Sequence, residues 1–503
     1  MNSNTIVLTF NWNFWCRRVG RDFICTTGNI LSNQEVSSRN VNTPEPRDVV
    51  RTIISRLAGL NKSKPVISAV FGEPDFLPFR FLEKGLRSGA AVCRLGRKFS
   101  LESAENFVDI INNASKNNPD FEITTSVLSE ILSLDESQKR FLFKDSENKL
   151  LSELSSKEIA EKITELSFVP AATAFLVGRN HLLTNYHAFP KKNSFNFERV
   201  SELDLDIDSI KEYVVQFNYE QDILGREIVP VEYCIEDIIA GDENLDYVLL
   251  TLSSKPEKSN NYSGDMGVAG DHFGWIQMLE DPVLIAPSYE KQGISNEDIE
   301  KELINIKRED PSLLEKFLKS SNTFRFQNPS LKNTSIDLEI IKDILKKRSK
   351  YGEPVNIIQH PKGRRKEIIV SNNWTIKLFN DYLWYEADAD FSSSGSPVFN
   401  QQWQLVALHH GAIPPSEQEE AKQEGIRICR IVQSLRDKLD QLVNREDLRN
   451  NNKEKLRAKK LWRFFVEFVE YDDVKGKPTL PPGYEEEYGE EEYAPKQPPT
   501  QTY

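Results

Sequence analysis

From about residue 168 the chain is dominated by short runs of β-branched and aromatic residues, SFVPAATAFLVGRNHLLTN, EYVVQFNY, EIVPVEYCI and LDYVLLTL, separated by turn-forming residues. Strands this short, following one another with no helix between them, bury their apolar sides by pairing with one another, which predicts an antiparallel sandwich or barrel. The texture resumes at VNIIQH (355–360) and runs through QLVALHH (404–410) to RICRIV (427–432), after which VQSLRDKLDQLV takes helical spacing. Between 287 and 350 it gives way to charged helical stretches, SNEDIEKELINIKRED and IDLEIIKDILKKRSK, which read as an insert.

Upstream, VVRTIISRLAGL (49–60) has the apolar spacing of a short amphipathic helix, and AAVCRLG reads as a buried strand. The segments AENFVDIINNA, TSVLSEILSL and KEIAEKITEL carry helical periods with frequent Glu and Lys. The chain thus divides into an N-terminal segment with a short helix (1–70), a lead-in strand (71–98), a helical insert (99–167) and a main β domain (168–445) interrupted at 287–350. A C-terminal stretch (446–503) holds the end of a helix and an acidic, Pro-rich tail that reads as solvated.

At 503 residues the chain exceeds what one core usually holds, so the main domain is expected to take roughly 200–250 residues. A net charge of −13 gives no electrostatic footprint for nucleic acid or anionic lipid. The basic run PKGRR (361–365) reads as a solvated turn. No apolar window reaches the ~18 residues of a membrane span, and the N-terminus places Arg17 and Arg18 after its apolar stretch, backwards for a secretory signal. Five widely spaced cysteines without a CxxC or zinc-type cluster fit a reducing compartment, so a cytoplasmic location is expected. No Walker loop, HExxH or EF-hand spacing is present, so neither cofactor nor metal is expected.

Three separated pieces supply an imidazole, a carboxylate and a hydroxyl, the groups that turn a serine into a nucleophile. In AFLVGRNHLLTNYHAF (174–189), His187 lies just past an apolar strand, at a strand end facing a cleft; His181 is the ordinary surface alternative. In ENLDYVLLTL (243–252), Asp246 opens a strongly apolar strand, where a carboxylate is costly unless paired, while Asp242 and Glu243 read as turn residues. In YEADADFSSSGSPVFN (385–400), Gly395 permits a tight turn after Ser394.

These pieces resemble, in order, the GTGFLV…LLTNxH, LDYALL and YDTDTxPGSSGSPVFN signatures of trypsin-like serine peptidases of the glutamyl-endopeptidase type. VNIIQHPKG (355–363), LVALHHGA (405–412) and FLPFRFLEKG extend the resemblance to about 250 residues around the two inserts. It implies a mainly β fold of two antiparallel chymotrypsin-type barrels with helical additions. It also implies a triad of His187, Asp246 and Ser394, an oxyanion hole from the amides of Ser392 and Ser394, and a protein or peptide substrate. The helical inserts are candidates for controlling access or recruiting a regulatory protein partner.

Two departures stand out. Ser392 replaces the glycine the family usually has two residues before the nucleophile, so a weak or inactive scaffold with the same fold is the alternative reading, and Ala174 replaces a glycine of GTGF farther from the chemistry. Specificity signals diverge. Asp388 sits where the resemblance implies a carboxylate for Lys or Arg, although it also aligns with an Asp that need not line the pocket. His409 sits where it implies an imidazole for an acidic side chain, and the balance leans to the latter, with His410 read as the exposed member of the pair.

Overall fold

The computed structural model describes residues 43–60, 77–116, 155–166, 168–189, 210–257, 266–320, 338–371, 373–390, 392–413, 415, 421–444, 452–470 and 478–479. The expected helix at TSVLSEILSL and the acidic end of the tail lie outside the described residues.

Six strands close into a barrel: β1 (Val92–Arg97), β2 (Val169–Leu176), β3 (His181–Thr184), β4 (Tyr213–Phe217), β5 (Val231–Asp242) and β6 (Tyr247–Leu252), in the order β1-β2-β3-β6-β5-β4. Closure depends on β1, which pairs antiparallel with β2 on one side and with β4 on the other, through Arg94↔Gln216 to Arg97↔Tyr213. The lead-in strand is therefore a full stave of the barrel. All eight residues of β2 are buried. Its inward side fills the barrel, and its outward side meets the rest of the protein, which is why VPAATAFL is apolar without alternation.

The second lobe is a seven-stranded sheet in the order β10-β11-β14-β13-β12-β8-β9, using β8 (Asn356–Gln359), β9 (Glu367–Ile369), β10 (Thr375–Leu378), β11 (Tyr382–Tyr385), β12 (Pro397–Phe399), β13 (Leu405–Ile413) and β14 (Lys422–Arg427). The first lobe closes and the second is an open half-barrel; together they make a chymotrypsin-type double-barrel fold with helical additions. One sequence expectation changes: RICRIV is not a strand. Strand β14 ends at Arg427, and Ile428–Asn444 is a helix whose Ile428, Ile431, Val432, Leu435, Leu439 and Val443 form one buried stripe. Six residues are too few to separate a buried strand from the first turns of such a stripe.

Numbered along the chain, the longer helices are α1 (Pro46–Leu60), α2 (Arg80–Ala90), α3 (Leu101–Lys116), α4 (Ser156–Thr164), α5 (Asn296–Glu309), α6 (Pro311–Ser320), α7 (Leu338–Arg348), α8 (Ile428–Asn444) and α9 (Asn452–Phe468). Helix α1 does not stand apart: Val49, Val50, Ile53 and Ile54 pack on Ile299, Leu303 and Phe317 of α5 and α6, giving the 287–350 insert its own small core. Arg56 of α1 joins this unit to the second lobe by a two-pronged pair with buried Glu353. Helix α9 was not anticipated as a separate element. Its Phe464 and Phe468 rings lie 5.1 and 5.2 Å from His181, which makes His181 a packing residue of the barrel wall. No helix among the described residues is long and apolar enough to cross a membrane.

Candidate active site

Strand β3 ends at Thr184, and a single 3-10 turn, Tyr186–Ala188, follows. Asn185 anchors the turn by donating from Nδ2 to the Asp246 carbonyl at 2.9 Å. Asp246 lies immediately before β6 with φ of 55°, a left-handed conformation reached through a turn in which Asp242 Oδ1 accepts the amides of Asn244 and Leu245. Asp242 thus serves the turn, and Glu243 is exposed.

The Asp246 carboxylate accepts three donors. The His187 amide reaches Oδ1 at 2.9 Å, the His187 Nδ1–H reaches Oδ2 at 2.6 Å, and the Nε2–H of His410 reaches Oδ2 at 3.1 Å. Burial alone would raise the Asp246 pKa, but the two imidazoles more than offset this and hold it well below the usual carboxylate range. With Nδ1–H committed to Asp246, Nε2 of His187 carries the lone pair; it is buried and has no hydrogen-bond partner among the described residues.

The Ser394 turn comes from the second lobe and is fastened to the first. Thr173 of β2 donates its amide to the Ser394 carbonyl at 2.9 Å and its hydroxyl to the Ser392 carbonyl at 2.9 Å. Within the turn, the amides of Ser393 and Gly395 are spent on the carbonyls of Asp390 and His409. Those of Ser392 and Ser394 find no acceptor among the described residues, leaving two N–H groups available to a developing oxyanion. The Ser394 hydroxyl donates to the His410 carbonyl at 3.2 Å rather than to His187. The structure therefore brings His187 and Asp246 into contact and sets Ser394 against the same His410, with the serine–imidazole hydrogen bond unmade.

Ser392 adopts φ of 65°, where a side chain is strained, and its hydroxyl is buried without a partner among the described residues. Ser392→Gly removes both penalties and is offset in part by the greater freedom of glycine in the unfolded chain. A net gain of about 1 kcal/mol is expected, read as a higher thermal midpoint.

The specificity candidates separate. Asp388 is exposed, and its carbonyl accepts from Gln359 Nε2 at 3.1 Å. His409 is buried on β13, with Nδ1 hydrogen-bonded to the Tyr385 hydroxyl at 2.6 Å; burial and the neighbouring imidazoles push its pKa down to about 3, so it is neutral. His410 is not the exposed member of the pair but is 2 % exposed. The register of β13 on β14 slips between His409 and Gly411, and this bulge lets two consecutive side chains face inward. Sequence reasoning also missed Glu424, whose Oε1 accepts His410 Nδ1–H at 3.0 Å and whose Oε2 accepts Trp384 Nε1–H at 2.8 Å. The only available signal was a glutamate inside a strand-like run beside Gly425.

Donor atoms of His187, Asp246 and His410 lie within 4.8 Å of one another, close enough to be weighed as ion ligands. The carboxylate oxygen between the rings already accepts an N–H from each, so the trio is accounted for as a hydrogen-bonded relay.

Fold and sequence both resemble those of trypsin-like serine peptidases. The family model of the trypsin-like peptidase domain matches residues 330–408, a stretch that includes Ser394 but neither His187 nor Asp246. An uncharacterized protein, y4fB, of Sinorhizobium fredii (strain NBRC 101917 / NGR234) is 31% identical over 86 residues, which are 16% of this chain and 13% of that protein. The chain thus matches only a small part of that relative's length. A glutamyl endopeptidase solved in complex with MPD aligns over 51% of this chain and 79% of its own, at 10% identity and a TM-score of 0.25.

Proposed function

We propose that the protein is a serine endopeptidase in which Ser394 is the nucleophile, His187 the general base and Asp246 its orienting carboxylate. The observation that carries this reading is the bare Nε2 of a His187 held by Asp246, with Ser394 bonded to the backbone of the His410 that meets the same Asp246, on a turn whose Ser392 and Ser394 amides find no acceptor among the described residues.

In the reaction, the Ser394 hydroxyl turns from the His410 carbonyl to His187. Oγ bonds to the scissile carbonyl carbon as its proton passes to Nε2, and the carbonyl oxygen takes its charge into the Ser392 and Ser394 amides. The imidazolium returns the proton to the leaving amine as the C–N bond breaks. Water, activated by the same ring, then releases the acyl group and restores the serine. An acidic residue at the cleaved position is the preference we assign, with neutral His409 as a donor to its carboxylate. The three described cysteines are free, which supports action in a reducing compartment.

The hydroxyl bonded to His410 and the strained Ser392 favour a second reading, a protease-fold scaffold with little turnover. Labelling with a fluorophosphonate separates the two, since only an activated serine beside a formed oxyanion hole reacts readily. The wild-type protein is expected to label and Ser394→Ala is not. A wild-type protein that stays unlabelled and cleaves no peptide in a library leaves the scaffold.

A further inference from the structure

The hydrogen-bonded group at the site does not stop at Asp246. His410 lies between two buried carboxylates, with Nε2 at 3.1 Å from Asp246 Oδ2 and Nδ1 at 3.0 Å from Glu424 Oε1. A carboxylate only accepts, so satisfying both contacts requires a proton on each ring nitrogen. Exposures of 2 % for His410 and 1 % for Glu424 keep water from substituting for either partner. Glu424 is itself held by Trp384 Nε1–H, and the Trp384 ring is faced by the ammonium groups of Lys422 and Lys377.

We propose that His410 and Glu424 are positioning residues for His187: His410 stands as an imidazolium between Asp246 and Glu424, fixes the Asp246 carboxylate, and tempers with its charge the pull of that carboxylate on the His187 ring. The inference rests on reading His187 as the general base. The His410 and His187 rings are 6.1 Å apart, so the cation acts on His187 across a short, dry distance. Burial alone would make His410 a weaker base, and the hydrogen bonds and charges of Asp246 and Glu424 reverse this, raising its pKa to about 9.

Among the described residues, the other groups that face His410 do not take over this role. His409, beside it on β13, is neutral, and Tyr382 of β11 stacks on its ring at 6.3 Å. His187 itself is the group acted upon.

The sign follows from the charges. Catalysis by this route needs a neutral His187, so kcat/KM falls where acid protonates that ring. In a His410→Gln/Glu424→Gln double variant the amides keep hydrogen bonds to Asp246 and Trp384 but remove the nearer cation together with the more distant anion. Asp246 then acts on His187 uncompensated, and the acid limb of the kcat/KM profile is expected to move up by about one pH unit. A merely structural role for the pair would lower activity at all pH values and leave the limb in place.

Titrating the imidazoles by NMR in the Ser394→Ala protein decides the matter without turnover. Both ring N–H protons of His410, assigned through their loss in the double variant or in His410→Gln alone, are expected at pH 7.5 and persist towards pH 9. A single N–H on His410 at pH 7.5, or an acid limb of kcat/KM that stays in place in the double variant, overturns the inference. Should the double variant not fold, the state of His410 in Ser394→Ala still decides it. A protein that hydrolyses nothing while His410 shows both N–H protons loses the peptidase reading and keeps the imidazolium held between Asp246 and Glu424.

Discussion

Asp246→Asn is expected to lower kcat for peptide hydrolysis by about 10⁴-fold while leaving the protein folded. The carboxylate accepts from the His187 amide, from His187 Nδ1–H and from His410 Nε2–H at once, and an amide cannot accept all three. Its NH₂, turned towards His187, favours the tautomer with the proton on Nε2, which removes the lone pair to which the proposed mechanism sends the Ser394 proton. The backbone does not suffer, because Asp246 sits at φ of 55° and asparagine is among the residues that tolerate this region best. Asp242→Asn is the control, since an asparagine oxygen still accepts the Asn244 and Leu245 amides that Asp242 now holds. Steady-state kinetics with the best library peptide reads the comparison, and Asp246→Asn within about tenfold of wild type would remove Asp246 from the mechanism.

Much of this arrangement could be read along the chain because its parts are local. An acidic residue opening YVLLTL, and a histidine just past the strand HLLT, stand out because each ends an apolar run with a group that needs a partner. Separating Asp246 from Asp242 was possible for the same reason: one borders the buried strand, the other sits in its turn. What was not legible depends on pairing between distant segments. Closure of the first lobe rests on β1 meeting β4, more than a hundred residues later, while the second lobe stays open at β9 and β10. Burial of His410 rests on a bulge, and a one-residue slip in a strand reverses which side chains face inward. Glu424 reaches His410 because β14 lies beside that bulge. Helix α9 follows the same rule, since its aromatic face finds its partner in His181, far upstream.

Gly395→Ala is expected to be the most damaging single substitution at the site, costing about 4 kcal/mol or more and abolishing fluorophosphonate labelling. Two penalties add. The residue has φ of 85°, which alone costs a side chain about 1–2 kcal/mol. A Cβ there would also lie 2.0 Å from the Thr173 carbonyl oxygen and 2.4 Å from Thr184 Oγ1. Neither atom can yield cheaply: the Thr184 hydroxyl donates to that carbonyl at 2.8 Å, and the Thr173 amide holds the Ser394 carbonyl at 2.9 Å. Relief of the clash therefore means pulling the Ser394 turn away from β2, which opens the seam between the lobes and displaces Ser394, the proposed nucleophile. Gly225→Ala isolates the first penalty, because that glycine has φ of 75° with nothing within 4 Å of its added carbon. Urea titrations of the two variants should differ by about 2–3 kcal/mol in unfolding free energy. Equal losses would mean that strain alone governs the turn and that the lobes are not locked together at Gly395.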